Sequence, residues 1–325
     1  MEFSHVPVLY DAVMEGLNIR EGLIYADGTL GGGGHSSGIC KRLNGNGTLI
    51  GIDRDTDALK AAEARLAEYT NTKHFVHSNY SDIKLVLSEL NIKALDGALL
   101  DLGVSSFQLD NPERGFSYMH DAPLDMRMNE EDSLTAEIVV NEYSEEELLR
   151  IIKEYGEERW AARIAQFIVK ERKKKHISST YELVDIIKAA MPAAARRDGP
   201  HPAKRTFQAI RIEVNDELGH LRRAVDDFVD VMAPGGRLAI ISFHSLEDRI
   251  VKEAFAKRQN PCTCPPELPV CVCGKKTALR IITPRALVAG DAERAANRRS
   301  ACARLRIAGK LETKQIQHNT SGRQQ

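Results

Sequence analysis

Short apolar runs alternate with helix-length segments through the first hundred residues, and this alternation constrains the fold more than any other feature. The runs are rich in β-branched residues and end at Gly, Asn or Asp, which is typical of buried parallel strands. They cover residues 22–27, 47–53, 73–79 and 97–103. Segments of helical length lie between them at 34–42, 56–69 and 81–90. The pattern predicts an α/β fold with a doubly wound parallel sheet.

A long interval separates the fourth strand from the fifth, GGRLAIISF, at 235–243. It contains two capping boxes, Ser144–Glu147 and Ser179–Glu182, and no convincing strand pattern, so we expect an inserted helical subdomain. An apolar stripe from Phe207 to Phe228 then predicts one long amphipathic helix. The expected divisions are a sheet domain in two parts, a helical insert and a polar tail, at residues 1–109 with 207–310, 110–206 and 311–325.

Two further strand candidates, residues 278–283 and 301–308, are close enough in sequence to predict a hairpin at the sheet edge. No apolar stretch approaches the roughly 18 to 20 residues that span a bilayer, and the N-terminus lacks the pattern of an export signal. We therefore expect a soluble, cytoplasmic protein without a membrane partner.

Charge is segregated along the chain although the net charge is only −1. Residues 128–158 carry eleven acids against two bases, and residues 275–310 carry ten bases against two acids. The basic region could meet nucleic acid, or both regions could be solvated faces. Candidate phosphate contacts are His201–Arg205, Arg211, Arg249 and the basic stretch 298–306.

The loop after the first strand reads ADGTLGGGGHSSG, with four consecutive glycines. No G-x-G-x-x-G fits it, and the P-loop spacing from Gly33 to Gly38 lacks the following Lys-Ser/Thr, so a nucleotide phosphate is disfavoured. An acid at the strand end followed by alternate glycines resembles the first motif of class I S-adenosylmethionine-dependent methyltransferases, with Thr29 replacing the first glycine. A plain tight turn is the alternative.

Polar residues also follow the other predicted strands. Asp53 closes the second strand, where an acid can accept both hydroxyls of a ribose, although it could instead be an acid at the start of the next helix. Tyr80 could stack beside an adenine or anchor a loop. Asp101 lies in a run too apolar for a casual charge, which favours a ligand or substrate partner.

Several longer strings, in this order, resemble the bacterial ribosomal RNA small-subunit methyltransferase H family, also called MraW, over about residues 5–306. They include DGTLGGGGHS, LLDLGVSSFQLD, ERGFSY, HPAKRTFQAIRIEVNDEL and GGRLAIISFHSLEDRIVK. The resemblance implies a class I, Rossmann-like methyltransferase sheet with an all-helical subdomain between strands four and five. It also implies methylation of the exocyclic N4 of a cytosine in 16S ribosomal RNA.

The resemblance implies S-adenosylmethionine as cofactor and a set of residues that hold it. On this sequence the implied set is Gly33, Gly34, His35, Asp53, Tyr80, Asp101 and Gln108. The implied partner is 16S ribosomal RNA, within the small subunit or a late assembly particle. The oligomeric state stays open, with a homodimer as one option.

Transfer to an exocyclic amine needs a group that accepts a hydrogen bond from the nitrogen. Asp101 is the first candidate for that catalytic role, while Ser105 and His244 are weaker candidates that could equally be capping residues. Methylation at cytosine C5 would need a cysteine nucleophile, and neither Cys40 nor Cys302 stands in the loop after strand four.

Four cysteines form a group, Cys262, Cys264, Cys271 and Cys273, which we do not regard as general to the family. Their number suits tetrahedral zinc, yet the C-x-C steps are tighter than the usual C-x-x-C knuckle. A structural metal, inert reduced thiols and disulfides all stay open, and we assign no metal ligand from the sequence.

Two other functions compete with the methyltransferase hypothesis. An RNA-binding assembly factor could keep the fold without useful catalysis. A nicotinamide-dependent oxidoreductase would rest only on the α/β pattern and Asp53, and it lacks the dinucleotide fingerprint.

Overall fold

The protein, described by a computed structural model over residues 7–105, 108–109, 111–197, 201–265, 267–268 and 270–312, divides into two compact units. The first unit combines the chain up to Gly103 with the chain from Leu218 onward. The second unit runs from Val104 to Glu217. We call them the sheet unit and the helical unit. The divisions proposed from the sequence, at 109/110 and 206/207, fall inside the helical unit.

A seven-stranded sheet forms the centre of the sheet unit. Its strands are β1 (Ile24–Asp27), β2 (Thr48–Asp53), β3 (Thr72–His77), β4 (Leu95–Asp101), β5 (Met232–Ser242), β6 (Leu279–Ile281) and β7 (Arg304–Lys310). Their order is β3-β2-β1-β4-β5-β7-β6, with parallel pairing from β3 to β5 and antiparallel pairing of β7 to both neighbours. The doubly wound order confirms the predicted α/β, Rossmann-like fold class, and the predicted edge hairpin is also confirmed.

The helices between the first four strands match the predicted segments, and other helices precede β1 or follow β4. They are α1 (Tyr10–Leu17), α2 (Gly34–Leu43), α3 (Thr56–Leu66), α4 (Ile83–Glu89), α5 (Ala136–Glu142), α6 (Glu145–Glu154), α7 (Ala161–Arg172), α8 (Thr180–Ala190), α9 (Lys204–Asn215), α10 (Glu217–Val231), α11 (Ser245–Gln259) and α12 (Asp291–Ala296). In the described part of the chain, none of them combines the length and apolarity needed to cross a bilayer.

Helices cover both faces of the sheet because consecutive strand residues point to opposite sides. On β4, Leu99 packs in a core with α1, α2 and α3, whereas Leu100 packs in a second core with α4, α10 and α11. Both leucines are fully buried. The helices α1 and α2 each end at an asparagine in the left-handed conformation, Asn18 and Asn44, a common helix stop.

The helical unit packs α5 to α9 around its own apolar core. Ile151, Ile164, Leu183 and Ile210 are among its fully buried residues. Both capping boxes predicted from the sequence are present, at the starts of α6 and α8. Among the described residues of this unit there is no strand, as expected.

The single long helix predicted over Phe207 to Phe228 is wrong. The chain breaks at Asp216, whose φ of 44° lies in the left-handed region, and α9 and α10 lie on either side of it. An apolar stripe continues through such a break when both halves bury their apolar faces, so hydrophobic spacing alone could not reveal it. The residues that could have signalled it are Asn215 and Asp216, since Asn and Asp both tolerate the left-handed conformation.

Candidate active site

Carboxyl groups end three adjacent strands of the sheet. Asp27 ends β1, Asp53 ends β2 and Asp101 ends β4. Because β1 lies between β2 and β4, all three lie at the carboxyl edge, where ligands bind in open α/β sheets. Burial raises the pKa of Asp27 and Asp53 to about 6 and that of Asp101 to about 8. Such a group of desolvated acids marks a candidate functional site.

Asp27 organises the loop that follows β1. It is only 1% exposed and accepts hydrogen bonds from the Ser36 hydroxyl at 2.7 Å and the Thr29 amide at 3.2 Å. The Thr29 hydroxyl in turn accepts a hydrogen bond from the Asp101 amide at 2.6 Å. Asp27 therefore positions both the start of α2 and the end of β4.

Asp53 faces the glycine loop. Its two oxygens accept hydrogen bonds from the backbone amides of Gly31 at 2.7 Å and Asp55 at 2.9 Å. Each carboxylate oxygen has further lone pairs, so both can still accept hydroxyl donors. The sequence left open whether Asp53 instead caps the next helix, and the structure gives that role to Asp55, which accepts from the Asp57 amide at 3.0 Å.

Asp101 has a buried oxygen atom that lacks a hydrogen-bond donor in the described part of the chain. Its Oδ1 is buried and has no hydrogen-bond partner among the described residues. Burial is the main cause of its raised pKa, and the nearby charges of Asp27 and Glu247 add to it. A buried carboxyl oxygen without a donor is costly, which points to a ligand that supplies one.

His35 lies in the first turn of α2 and its Nδ1 is 3.6 Å from Asp101 Oδ2. Its Nε2 is 3.0 Å from the Val8 carbonyl, so Nε2 carries the proton and Nδ1 presents a lone pair. Burial lowers the pKa of His35 to about 4. At neutral pH His35 is therefore an uncharged neighbour of Asp101 and does not form an ion pair with it.

At some of the four glycines an added Cβ would contact protein atoms, and at others it would enter open space. Gly33, with a φ of 74°, precedes α2, and a Cβ there would lie 3.3 Å from the Cβ of Ala62. A Cβ on Gly34 would lie 2.7 Å from Pro7 Cγ, whereas one on Gly32 would meet nothing within 4 Å. The loop conformation and local packing therefore explain Gly33 and Gly34, and the open backbone lies at Gly32. The first amides of α2 have no intrahelical partner and can face an anion.

Two residues follow β3 at the same edge of the sheet. Tyr80 begins a 3₁₀ turn over Tyr80–Asp82 and is half-buried. Asn79 caps that turn through a hydrogen bond from the Ser81 amide at 2.9 Å. Its Nδ2 is buried without a partner in the described part of the chain. Asn79 was not predicted as a site residue, although its place at the end of the third predicted strand was the signal available.

Ser105 and Gln108 belong to the helical unit, whereas the three acids belong to the sheet unit. The Ser105 amide donates to Gln108 Oε1 at 3.0 Å, and the Gln108 amide donates to the Ser105 hydroxyl at 3.2 Å. These reciprocal hydrogen bonds between residues three apart agree with the capping alternative stated for Ser105. Gln108 is 4% exposed, and its Oε1 accepts the hydrogen bond from the Ser105 amide.

His244 caps α11. Its ring accepts a hydrogen bond from the Glu247 amide at 3.4 Å, and Glu247 accepts from the His244 amide at 3.2 Å. This also agrees with the capping alternative stated for His244. The carboxylate of Glu247 still bears on the site, because its charge raises the pKa of Asp101.

Some of the side chains predicted to contact phosphates form ion pairs within the protein, and another lines a cavity. Arg211 forms a bidentate pair with Glu217, at 2.7 and 2.9 Å, and Arg306 forms one with Asp248, at 2.6 and 3.1 Å. Both arginines already form ion pairs with carboxylates of the protein. His201 instead lines an open cavity of about 500 Å³ in the helical unit, whose basic lining residues are Lys188, Arg196 and Arg197.

Comparison with known proteins confirms the family resemblance. The MraW methylase family model matches residues 2–311. Ribosomal RNA small subunit methyltransferase H 2 of Agathobacter rectalis is 56% identical over 308 residues, covering 94% of this chain and 98% of that protein. Ribosomal RNA small subunit methyltransferase H of Symbiobacterium thermophilum is 55% identical over 312 residues, covering 96% of this chain and 98% of that protein.

Among solved structures, an rRNA methylase from Streptococcus thermophilus matches 93% of this chain and 94% of its own. Its identity of 10% and TM-score of 0.42 are too low to bear on function. The family model and the relatives named above each span nearly the whole chain. The chain therefore belongs to the MraW methylase family.

Proposed function

We propose that this protein transfers a methyl group from S-adenosylmethionine to the exocyclic N4 of a cytosine in 16S ribosomal RNA of the small ribosomal subunit. Membership of a methylase family supports methyl transfer, and the names of the relatives support small-subunit ribosomal RNA as the substrate. The observation that carries the assignment of the site is the buried, unpartnered Oδ1 of Asp101 at the carboxyl edge of the sheet.

The residues at this edge fit S-adenosylmethionine, which carries a positive sulfonium and an ammonium group. Asp27, Asp53 and Asp101 have pKa values raised by burial, and a cation placed among them would favour their ionised forms. Asp101 Oδ1 needs a donor, which an ammonium group supplies. The absence of a phosphate motif agrees with a ligand that has no phosphate.

Residues at the carboxyl ends of β1, β2 and β3 can each be assigned a part of S-adenosylmethionine to contact. Asp53 would accept the ribose hydroxyls, because both its oxygens keep lone pairs beyond their backbone contacts. Tyr80 would lie beside the adenine, and Asn79 would donate to one of its ring nitrogens. Gly33, Gly34 and His35, at the start of α2, would surround the amino-acid end. Gln108 is a cofactor residue by the family resemblance alone.

When bound, S-adenosylmethionine supplies a methyl group on a positively charged sulfur that is already activated for transfer. The cytosine amino group is a poor nucleophile because its lone pair is delocalised into the ring. The protein must hold the amine in line with the methyl group and accept a hydrogen bond from it as positive charge develops.

Asp101 is the residue we propose as that acceptor. In the protein without ligand, its pKa of about 8 leaves it mostly protonated at neutral pH. A neighbouring positive charge lowers a carboxyl pKa, so Asp101 ionises when the site holds a cation. Neutral His35, with the lone pair of Nδ1 facing Asp101, adds no positive charge that would compete for the carboxylate.

The cysteines support transfer to nitrogen over transfer to C5. Cys40 lies buried in α2, and burial raises the pKa of its thiol to about 11, so it is not a ready nucleophile. Cys302 lies in a 3₁₀ turn at Arg298–Cys302, directly before β7. Neither follows β4, where the reacting base is expected.

The helical unit is the part we propose for RNA recognition. Its cavity is lined by three basic side chains and by His201, whose ring stacks on Tyr118 at a centroid distance of 4.5 Å. Such a surface suits RNA phosphates, with an aromatic pair beside them for an unstacked base. A single-stranded or distorted RNA segment within a small-subunit particle is the proposed substrate, and the cytoplasm is its expected place.

Methyl transfer can be tested with labelled S-adenosylmethionine, purified protein, and 16S RNA or small-subunit particles that lack the modification. We expect label in RNA with one cytosine converted to N4-methylcytosine, located by mass spectrometry. Transfer to neither RNA nor particles, or transfer to C5, would contradict the proposal.

The Asp101→Ala variant separates an enzyme from an assembly factor. An enzyme loses methyl transfer, whereas an assembly factor keeps its effect on ribosome assembly in cells. Titration with NAD and with S-adenosylmethionine addresses the oxidoreductase alternative, since binding of NAD alone would revive it.

A further inference from the structure

Four cysteine sulfurs gather between α11 and β6, outside the candidate active site. The ligand atoms of Cys262, Cys264, Cys271 and Cys273 all lie within 4.8 Å of one another. The Sγ distances from Cys271 are 3.6 Å to Cys262, 3.8 Å to Cys264 and 3.4 Å to Cys273, and Cys273 lies 3.9 Å from Cys262. The C-x-C spacing therefore does not prevent all four sulfurs from converging.

These distances match a tetrahedral metal centre. A zinc ion with Zn–S bonds of about 2.3 Å holds its four sulfurs about 3.8 Å apart. A disulfide requires sulfurs about 2 Å apart, and all four cysteines are free. Among the alternatives that the sequence left open, the sulfur geometry favours a metal.

Among the described residues of the segment that carries the cysteines, residues 260–277 without 266 and 269, no side chain is buried. Leu268, Val270 and Val272 are 44%, 70% and 76% exposed. The base of the segment is closed by a hydrogen bond of 3.0 Å from the Ala278 amide to the Arg258 carbonyl. Small folds without a core are commonly stabilised by disulfides or by a metal, and disulfides are absent among these cysteines.

Backbone groups around the sulfurs suit thiolates. The Val272 amide donates to Cys264 Sγ at 3.4 Å, and the amides of Thr263 and Lys275 hydrogen-bond to Cys273. Gly274 follows Cys273 with a φ of 65°, so the chain turns back past the sulfur in a conformation that favours glycine. Amide donors to ligand sulfurs orient the ligands and stabilise their charge.

We propose that Cys262, Cys264, Cys271 and Cys273 bind one Zn²⁺ ion in a closed, structural tetrathiolate site. Four protein ligands leave no open coordination position, so the site is not catalytic. A tetrahedral set of four thiolates accepts either zinc or iron, and nitrogen, oxygen and sulfur sites generally bind zinc more tightly than ferrous iron. The ion stabilises the segment from Asn260 to Thr277, whose described residues include no buried side chain.

Metal content of the full-length protein tests the site without reference to methyl transfer. Protein purified without a metal-affinity tag, from cells grown with zinc, is analysed by mass spectrometry of its metals. We expect one zinc per chain, and we expect cobalt(II) replacement to give the absorption of a tetrahedral tetrathiolate. Iron in place of zinc, or no metal with the four cluster thiols reactive, would overturn the assignment.

Matched variants show whether the cluster is the ligand set. Cys262→Ser combined with Cys273→Ser should remove the zinc, and hydrogen exchange of amides in residues 260–277 should become faster. Cys302→Ser removes an exposed cysteine outside the cluster and should keep the full zinc content. If the double variant kept its zinc, or if Cys302→Ser lost it, the ion would lie elsewhere.

Discussion

Replacing Asp101 with asparagine should stabilise the folded protein while destroying its cofactor site. In the folded protein the pKa of Asp101 is raised from 3.8 to about 8. Between these values the folded state keeps a proton that the unfolded chain releases, so the stability that this group contributes is lost as pH rises through that window. Asparagine does not titrate, so the free energy of unfolding of the variant does not fall in this way as pH rises.

The magnitude follows from the width of that window. Each unit of pKa difference is worth about 1.4 kcal/mol, which gives an upper limit of about 4 kcal/mol for the stabilisation at pH 7. Relaxation around a carboxyl that is 26% exposed will reduce it, and we expect about 2 kcal/mol. The difference between variant and wild type should grow from pH 5 to pH 8 and level off above pH 8.

Urea unfolding followed by circular dichroism at pH 5, 6, 7 and 8 measures this difference. Asp185→Asn is the matched control, since that aspartate is 80% exposed on α8 and should show no growing difference. Isothermal titration calorimetry of Asp101→Asn should show much weaker binding of S-adenosylmethionine. A stability difference that is the same at pH 5 and pH 8 would refute the reasoning, because Asp101 would then ionise normally in the folded protein.

Three further tests, the first with a matched control substitution, address other parts of the molecule. Gly33→Ala, at a φ of 74°, should cost about 1 to 2 kcal/mol of stability in urea unfolding, whereas Gly32→Ala, with open space around it, should cost little. Asn79→Ser keeps a cap for the 3₁₀ turn but removes the buried donor, and should weaken S-adenosylmethionine binding roughly three- to tenfold in calorimetry. Ile151→Ala in the core of the helical unit should cost about 2 to 5 kcal/mol, followed by fluorescence of Trp160, the single tryptophan.

The main architecture could be predicted from the sequence because each element carries its own local signal. Buried strands such as β2 and β4 are short apolar runs with clear ends, and the capping boxes at Ser144 and Ser179 mark helix starts. The break at Asp216 could not be predicted in this way. The apolar period is continuous across it, and a single left-handed residue leaves no trace in hydrophobicity.

The sequence identified side chains that could lie at the site, whereas their hydrogen-bond partners became known only from the structure. Asp53 was found because it closes a predicted strand, and Asp101 because it lies in a run too apolar for a casual charge. The reciprocal bonds of Ser105 with Gln108, and of His244 with Glu247, link residues three apart, yet the same residues looked equally suited to catalysis. Asn79 was missed because an unpaired amide becomes visible only once its surroundings are known.

The order in which the strands are synthesised matters for how this sheet forms. Strand β4 pairs with β5 through Asp101 and Ile241, so its partner is made long after β4 itself. The whole helical unit, which ends at Glu217, is complete before that partner exists. Until β5 arrives, the growing chain exposes an unpaired, apolar strand edge that is prone to wrong pairing. A nascent chain stopped before Met232 would therefore aggregate or need a chaperone, and completing the sheet is expected to be the slow, non-local step of folding.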